Sequence, residues 1–313
     1  MGYDADGSGE HALLWVEKRG ANTDWVAREL AKFAGVPPLA VGYAGLKDRN
    51  AVTRQTFSVQ LAGKPAPDWS AFPHTEVKVL AATRHGRKLK RGALRGNRFV
   101  LVLRETQGER ERAEQVLAAI ALRGVPNYFG EQRFGREGGN LAQARAMFAG
   151  KRVDRDKRGF LLSAARSQIF NSVLATRVER GAWDTPLDGE IWSLAGSRSW
   201  FGPEPYNEVL AQRLAGGDIH PSGPLWGQGD PPTMGEVAVL EREVAAAHED
   251  LAQGLAAARM DQERRPLRLL PKDLRWRWLA GDVLELSFEL PAGAYATVVA
   301  REVAATRMEQ LSP

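Results

Sequence analysis

The chain predicts an α+β fold, and three observations predict it. Strand-like alternation and helix-like apolar stripes follow one another through residues 1–124. Hydrophobic residues make up 43% of the 313, enough for more than one core. The texture changes after Val125 and again at Pro266–Pro271, so a single core does not run from end to end.

Each element has its own reason. Asn22-Thr23-Asp24 predicts a helix start, Trp25, Val26, Leu30 and Phe33 give its apolar stripe, and Gly35 with Pro37 marks its stop. Alternation predicts strands at Gln55–Leu61, Glu76–Ala81 and Asn97–Arg104. Glu109–Arg123 predicts a helix with Val116, Leu117 and Ile120 inward, ended by Gly124. Further on, helices are expected at Asn140–Ala149 and Ser163–Arg180. The second has Ser163 as N-cap and Ile169, Phe170, Val173 and Leu174 on the buried face. Gly181–Pro232 is rich in Gly, Pro and Trp and reads as loops and short strands. Gly235–Arg259 reads as one long alanine-rich helix, Trp276, Trp278 and Val283–Leu290 as strands, and Tyr295–Met308 as a helix.

Composition excludes several chemistries. There is no cysteine, which removes disulfides, thiolate nucleophiles and Cys-ligated zinc, and fits a reducing compartment. The five histidines, His11, His74, His85, His220 and His248, form no ligand pair at helical or hairpin spacing, so no metal is expected. Neither a phosphate loop ending in Gly-Lys-Ser/Thr nor a Gly-x-Ser-x-Gly elbow occurs; the glycine-rich Gly130–Gly139 lacks the lysine. What remains is side-chain acid/base or nucleophilic work without a cofactor. No run reaches the length of an apolar membrane span, and Met1–Glu10 is polar and acidic, unlike a secretory signal. A cytoplasmic enzyme without membrane attachment is the expectation.

The net charge of +5 is unevenly spread. Arg84, Arg87, Lys88, Lys90, Arg91, Arg95 and Arg98 follow one another with His85 and no acid among them, a pattern suited to a phosphate backbone, where neutralising each phosphate releases counterions. A second cluster, Arg145, Lys151, Arg152, Arg155, Lys157 and Arg158, is diluted by Asp154 and Asp156 and reads equally as a solvated face.

The most informative stretch is Gly42-Tyr43-Ala44-Gly45-Leu46-Lys47-Asp48-Arg49-Asn50-Ala51-Val52-Thr53-Arg54-Gln55. It sets one carboxylate, Asp48, between two cations on a glycine-rich turn. Nearby positive charge favours the anion, and an ionised, positioned aspartate can act as nucleophile or base. Spacing alone favours a solvated turn with local ion pairs, since most charge runs are solvated.

As a string, this stretch resembles the catalytic motif of the TruD family, the tRNA pseudouridine synthases acting on uridine-13. The resemblance continues through Gly92-Ala93-Leu94-Arg95-Gly96-Asn97-Arg98-Phe99 and Val125-Pro126-Asn127-Tyr128-Phe129-Gly130-Glu131-Gln132-Arg133-Phe134-Gly135. It ends through Leu162-Ser163-Ala164-Ala165-Arg166-Ser167 and Leu290-Pro291-Ala292-Gly293-Ala294-Tyr295-Ala296-Thr297, so the ordered motifs cover nearly the whole chain.

The resemblance implies a pseudouridine-synthase-like catalytic domain with a mixed or antiparallel sheet and helices, assembled from residues 1–124 and 271–313. An α/β TRUD domain would be inserted over residues 125–270. It implies that Asp48 is the catalytic aspartate, either attacking the sugar carbon or abstracting a sugar proton. A flipped base needs an aromatic face and polar groups at its edge. Asn97 and Phe99, one residue apart on a strand, share a side, and Tyr295 gives a second aromatic wall. The resemblance implies that all three contact the substrate. Spacing alone describes Phe99 as core, Asn97 as a strand start and Tyr295 as half-buried. Phe129 and Phe134 read as inward-packing, while Arg133, Arg136 and Arg166 remain open between phosphate contact and structure. The implied partner is tRNA, with the protein a monomer and no obligate protein partner.

The family also carries, ahead of the residues matching Met1–Gly7, a segment with a lysine and a Pro-Glu-Asp-Phe motif. Its absence from this sequence implies a missing strand, a missing charged partner for the aspartate and one missing aromatic contact. Either the start codon is misassigned or this form is impaired, and the latter gives a second reading: an RNA-binding or RNA-folding protein of the same fold whose catalysis is impaired. A third, an unrelated hydrolase using Asp48, lacks a second acid or a histidine at motif spacing.

Overall fold

In the computed structural model, residues 5–90 and 93–305 are described, and the chain divides between Asn97 and Arg98 into two units. The first unit is built from β1 (His11–Lys18), α1 (Thr23–Phe33), β2 (Val41–Tyr43), β3 (Thr53–Gln60) and β4 (Val77–His85). The strands form an antiparallel sheet in the order β2-β3-β1-β4, with Leu14 opposite Phe57 on one side and Ala82 on the other. Leu14, Val16, Val26, Leu30, Phe57 and Val59 fill the core between sheet and helix. The helix starts and stops where its apolar stripe predicts. Asn22 precedes it in extended conformation but makes no side-chain cap. Asp24 in the first turn and Lys32 in the last instead complement the helix dipole. β1 was not anticipated. It is central, covered on both faces, and so carries the near-continuous apolar run Ala12-Leu13-Leu14-Trp15-Val16 in place of an alternation.

The second unit continues with β5 (Gly96–Leu103), which begins in the junction, then α2 (Arg110–Arg123), β6 (Val125–Pro126), α3 (Gly139–Phe148) and α4 (Arg155–Glu179). It goes on through β7 (Trp192–Leu194), β8 (Trp200–Phe201), α5 (Glu208–Ala215), β9 (Ile219–Leu225), α6 (Gly235–Ala247) and α7 (Glu249–Ala257). β10 (Glu263–Pro266), β11 (Arg268–Leu269), β12 (Lys272–Ala280), β13 (Val283–Pro291) and α8 (Ala296–Val303) complete it. A sheet ordered β12-β13-β5 packs Leu284, Leu286 and Phe288 against Leu117 and Ile120 of α2 and Val298 and Val299 of α8. A separate sheet ordered β10-β9-β7-β8 lies with α4, whose Phe170 and Leu174 meet Leu267. A third core joins α3, α4 and α7 through Ala144, Leu161, Ile169, Leu251 and Leu255.

The two-residue strands β6 and β11 pair antiparallel, Val125 with Leu269 and Pro126 with Arg268. These are the two places where the sequence texture changes. Gly124, just before β6, has φ +79°, and a Cβ there would collide with the Leu269 carbonyl. Glycine is therefore required both by the backbone and by the close approach of β11.

Several expectations are corrected. Ser163 does not cap a helix: α4 begins at Arg155, and Ser163 lies in its third turn. The first turns carry Arg155, Asp156, Lys157 and Arg158, all exposed, so no apolar stripe marks them. The expected helix over Gly235–Arg259 is two, broken at His248 (φ −124°, ψ 39°). The break lets Leu251 and Leu255 turn into the α3–α4 core, and the His248 ring bonds the Ser172 hydroxyl at 2.8 Å. The Gly/Pro/Trp-rich stretch hides α5, capped by the Asn207 side chain on the Leu210 amide. The last helix ends at Val303, where Ala304 turns extended; residues 306–308 lie outside the described residues.

Candidate active site

Asp48 sits in the loop between β2 and β3 of the first unit. Gly45 opens the turn with φ +75°, a conformation L side chains rarely adopt. The loop is tied down through its backbone. Lys47 donates its amide to the Thr23 hydroxyl at 3.0 Å, and that hydroxyl donates to Gln55 Oε1 at 3.0 Å. Asp48 accepts the Asn50 amide on Oδ1 at 3.0 Å, so the carboxylate closes its own turn and remains solvent-exposed.

The flanking cations do not hold the carboxylate, contrary to the expectation from sequence. Lys47 donates through Nζ to Asn97 Oδ1 at 2.7 Å, and Arg49 donates through Nε to the Gly20 carbonyl at 3.2 Å. The cation beneath the loop is one the sequence did not single out. Lys18, at the end of β1 and 0% exposed, donates to the Asp48 carbonyl at 2.8 Å and the Lys47 carbonyl at 3.5 Å. Burial holds the Lys18 ammonium below its ordinary pKa; the Asp48 charge opposes that shift and the Lys47 charge adds to it. Burial lowers Lys47 in the same way. Lys18 closes an apolar run, and only the pairing of β1 with β3 brings it under Asp48.

Lys18→Met fits a similar volume but removes both hydrogen bonds and the charge. The lost hydrogen bonds and the relieved desolvation of a buried ammonium offset one another, so stability changes by about 1 kcal/mol or less. A catalytic role for Asp48 predicts that turnover falls by about an order of magnitude or more, because the loop carrying it loses its anchor. A melting curve and single-turnover rates check this; a large melting shift with normal turnover would mean that Lys18 serves only the fold.

The basic run lies along the same loop. Gly42 of β2 leaves room for it, since a Cβ there would stand 2.5 Å from the Leu89 carbonyl. The Leu89 amide donates to the Ser58 hydroxyl at 2.9 Å, and Leu94 lies next to Gly45. With the Lys47–Asn97 bond, three successive contacts lay Leu89, Leu94 and Asn97 beside Gly42, Gly45 and Lys47. Buried Leu89 pins the run, while Arg87, Lys88, Lys90 and Arg95 are exposed and Arg84 is half-buried on β4. Lys88 donates to the Leu39 carbonyl, and Arg98 is taken up by Glu289 in the second unit's own sheet. Arg91 lies outside the described residues.

In the second unit, Phe99 is half-buried on β5 with its ring 5.8 Å from that of Phe288. Tyr295 precedes α8, and its hydroxyl accepts from Arg133 at 2.9 Å. Arg166, open between phosphate contact and structure by sequence, is structural: it meets Glu263 at 2.8 Å and the Leu225 and Asp261 carbonyls at 2.6 Å. Phe129 and Phe134 pack inward around Phe170. The Arg136 side chain lies outside what is described. Among the described residues no three His, Asp or Glu side chains group as a metal site, and no helix is long and apolar enough to cross a membrane.

The fold is α+β and carries a lysine-anchored aspartate beside a basic loop; comparison with known proteins supplies the family. The family model described as tRNA pseudouridine synthase D (TruD) matches residues 2–141 and 140–303. The chain belongs to the TruD family, a family of tRNA-modifying isomerases. It is 54% identical over 316 residues to "tRNA pseudouridine synthase D" of Xanthomonas campestris pv. campestris (strain B100), covering 96% of this chain and 86% of that protein. It is 48% identical over 305 residues to the protein of the same name from Methylococcus capsulatus, covering 97% and 86%. In fold it is similar to a Methanosarcina mazei crystal structure bearing the TruD name, with a TM-score of 0.69 at 20% identity over 96% of this chain and 89% of that one.

Proposed function

We propose that this chain converts uridine-13 of tRNA to pseudouridine with Asp48 as the catalytic carboxylate and no cofactor. The observation that carries the reading is the Asp48 loop itself: an exposed carboxylate on a turn whose carbonyls are fixed from below by buried Lys18. The reaction breaks the bond from N1 of uracil to C1′ and forms one from C5 to C1′. The proton lost from C5 is balanced by one gained at N1, so substrate and product are isomers and no redox partner is required. An aspartate attacking C1′, or taking a sugar proton, meets that need. Asn97, fixed by Lys47, is assigned to the substrate's polar edge; on the second unit, Phe99 and Tyr295 are assigned to RNA contact.

The domain reading is that residues 125–270 are an insertion into a catalytic domain built from residues 1–124 and 271–313. It is supported by the β6–β11 pairing, which sets the two chain crossings side by side. The binding-only reading is not favoured, given relatives named as synthases that match over 96% of the chain. The deciding experiment is incubation of the purified chain with an unmodified tRNA transcript, followed by mapping of pseudouridine. Product at position 13 supports the whole reading; product elsewhere overturns the position, and tight binding without product overturns the catalysis.

The loop of Arg87, Lys88 and Lys90 is assigned to the phosphate backbone. Neutralising all three weakens binding across different RNAs and lowers the log–log salt slope by roughly 0.7–0.9 per lost phosphate contact. An unchanged slope would show that this loop faces away from the RNA.

A further inference from the structure

Most buried arginines of the second unit have an acid. Arg177 meets Glu190 at 2.8 Å, Arg264 meets Glu241 at 2.7 Å and Arg166 meets Glu263 at 2.8 Å. Arg268 is spread over three carbonyls. Arg133 and Arg265 differ. Arg133 donates to the Ser163 hydroxyl at 3.0 Å and the Tyr295 hydroxyl at 2.9 Å, and its guanidinium lies 5.4 Å from the centre of the Phe129 ring. Arg265 donates to Asn127 Oδ1 at 2.7 Å and lies 4.1 Å from the same ring and 5.6 Å from that of Phe170. The Nε of each is buried without an acceptor. Among the described residues neither forms an ion pair.

So two guanidinium charges share one aromatic ring, and every acceptor they have is neutral. Cation–π contact offsets only part of the desolvation of two like charges. Burial pulls Arg265 down to about 10, with the Arg133 charge pulling the same way and Tyr295 opposing. Neither residue is fully enclosed: both are intermediate in exposure. What the cluster lacks is an anion, and a phosphate oxygen set against guanidinium forks supplies one with matching geometry.

We propose that Arg133 and Arg265, gathered around Phe129 and braced by Tyr295 and Ser163, form a receptor for one phosphodiester group of the RNA substrate. This rests on the reading of the chain as a tRNA-acting enzyme and adds a specific phosphate contact on the second unit. It gives Tyr295 a positioning part, since its hydroxyl holds the Arg133 fork. Nothing in the sequence pointed to Arg265, which lies 132 residues beyond Arg133 and meets it only through the fold.

The test is tRNA binding by the full chain across a salt series, for the wild type and for Arg133→Gln, Arg265→Gln and the double variant. Each single variant is expected to bind about tenfold more weakly and to lower the log–log slope by roughly 0.7–0.9. The double variant should lower the slope no further, because both side chains serve one phosphate. Folded variants with the wild-type slope overturn the proposal.

Should the glutamine variants not fold, melting of the wild type in inorganic phosphate against chloride at equal ionic strength supplies the reading. Phosphate should raise the melting temperature of the wild type, and that rise should shrink in Arg133→Lys, which keeps the charge but loses the fork. An equal rise in both overturns the site. So does protection by free phosphate with an unchanged RNA slope, because that anion would not be the RNA's. A chain with the predicted slope losses but no pseudouridine overturns the isomerase reading and leaves this site standing.

Discussion

Asp48→Asn abolishes pseudouridine formation while tRNA affinity stays within about twofold of the wild type. The substitution keeps the shape of the side chain and its oxygen for the Asn50 amide, so the turn is preserved. It removes only the anion. If Asp48 attacks C1′ or takes a sugar proton, a neutral amide does neither, and the rate falls by about a thousandfold or more, the scale on which loss of a reacting group is felt. Affinity is spared because it comes mainly from phosphate contacts, and the cations nearest Asp48 are committed elsewhere: Lys47 to Asn97, Arg49 to the Gly20 carbonyl. Pseudouridine mapping and a binding isotherm on the same preparation check this. Near-normal turnover by the variant would remove Asp48 from the chemistry.

The second large effect is on stability. Glu241→Ala destabilises the protein by about 3–5 kcal/mol, because it strands a buried cation. The Arg264 side chain is 1% exposed and that of Glu241 0%. They share two bonds at 2.7 and 2.9 Å, and Thr233 and the Ser222 hydroxyl and carbonyl complete the network. Without the carboxylate, the guanidinium loses the anion that it is bonded to. Replacing both together, Arg264→Met with Glu241→Leu, should recover most of the loss, since apolar residues of similar volume remove the desolvation problem instead of exposing it. Denaturant melts of the single and double variants decide the matter. A single variant as stable as the wild type would mean that the site admits water freely. This pair lies in the second unit, away from Asp48 in sequence, so the loss should appear in the melting transition before it appears in the rate per folded molecule.

Much of the local structure was readable from side-chain order alone. The α1 stripe of Trp25, Val26, Leu30 and Phe33, the alternation at β3 and β13, and the glycine stop after α2 all involve neighbours within a few residues, where periodicity and backbone preference act directly. The string around Asp48 and the motifs that follow it identified the family. Local order failed where an element's faces are not distinct. β1 is covered on both sides, the first turns of α4 are charged all round, and the break at His248 lies in an alanine-rich stretch that reads as one helix. Those outcomes depend on what packs against the element. The site follows the same division. Asp48 and the basic loop were visible as residues, but their partners were not. That Lys47 turns to Asn97, that Lys18 sits under Asp48, and that Arg133 and Arg265 meet over Phe129 are contacts spanning 30 to 132 residues. The sequence by itself determined the family, the carboxylate to test and the position of most elements. Tertiary structure alone decided which charges are paired, because a buried charge's partner is set by whichever strands and helices the core brings together.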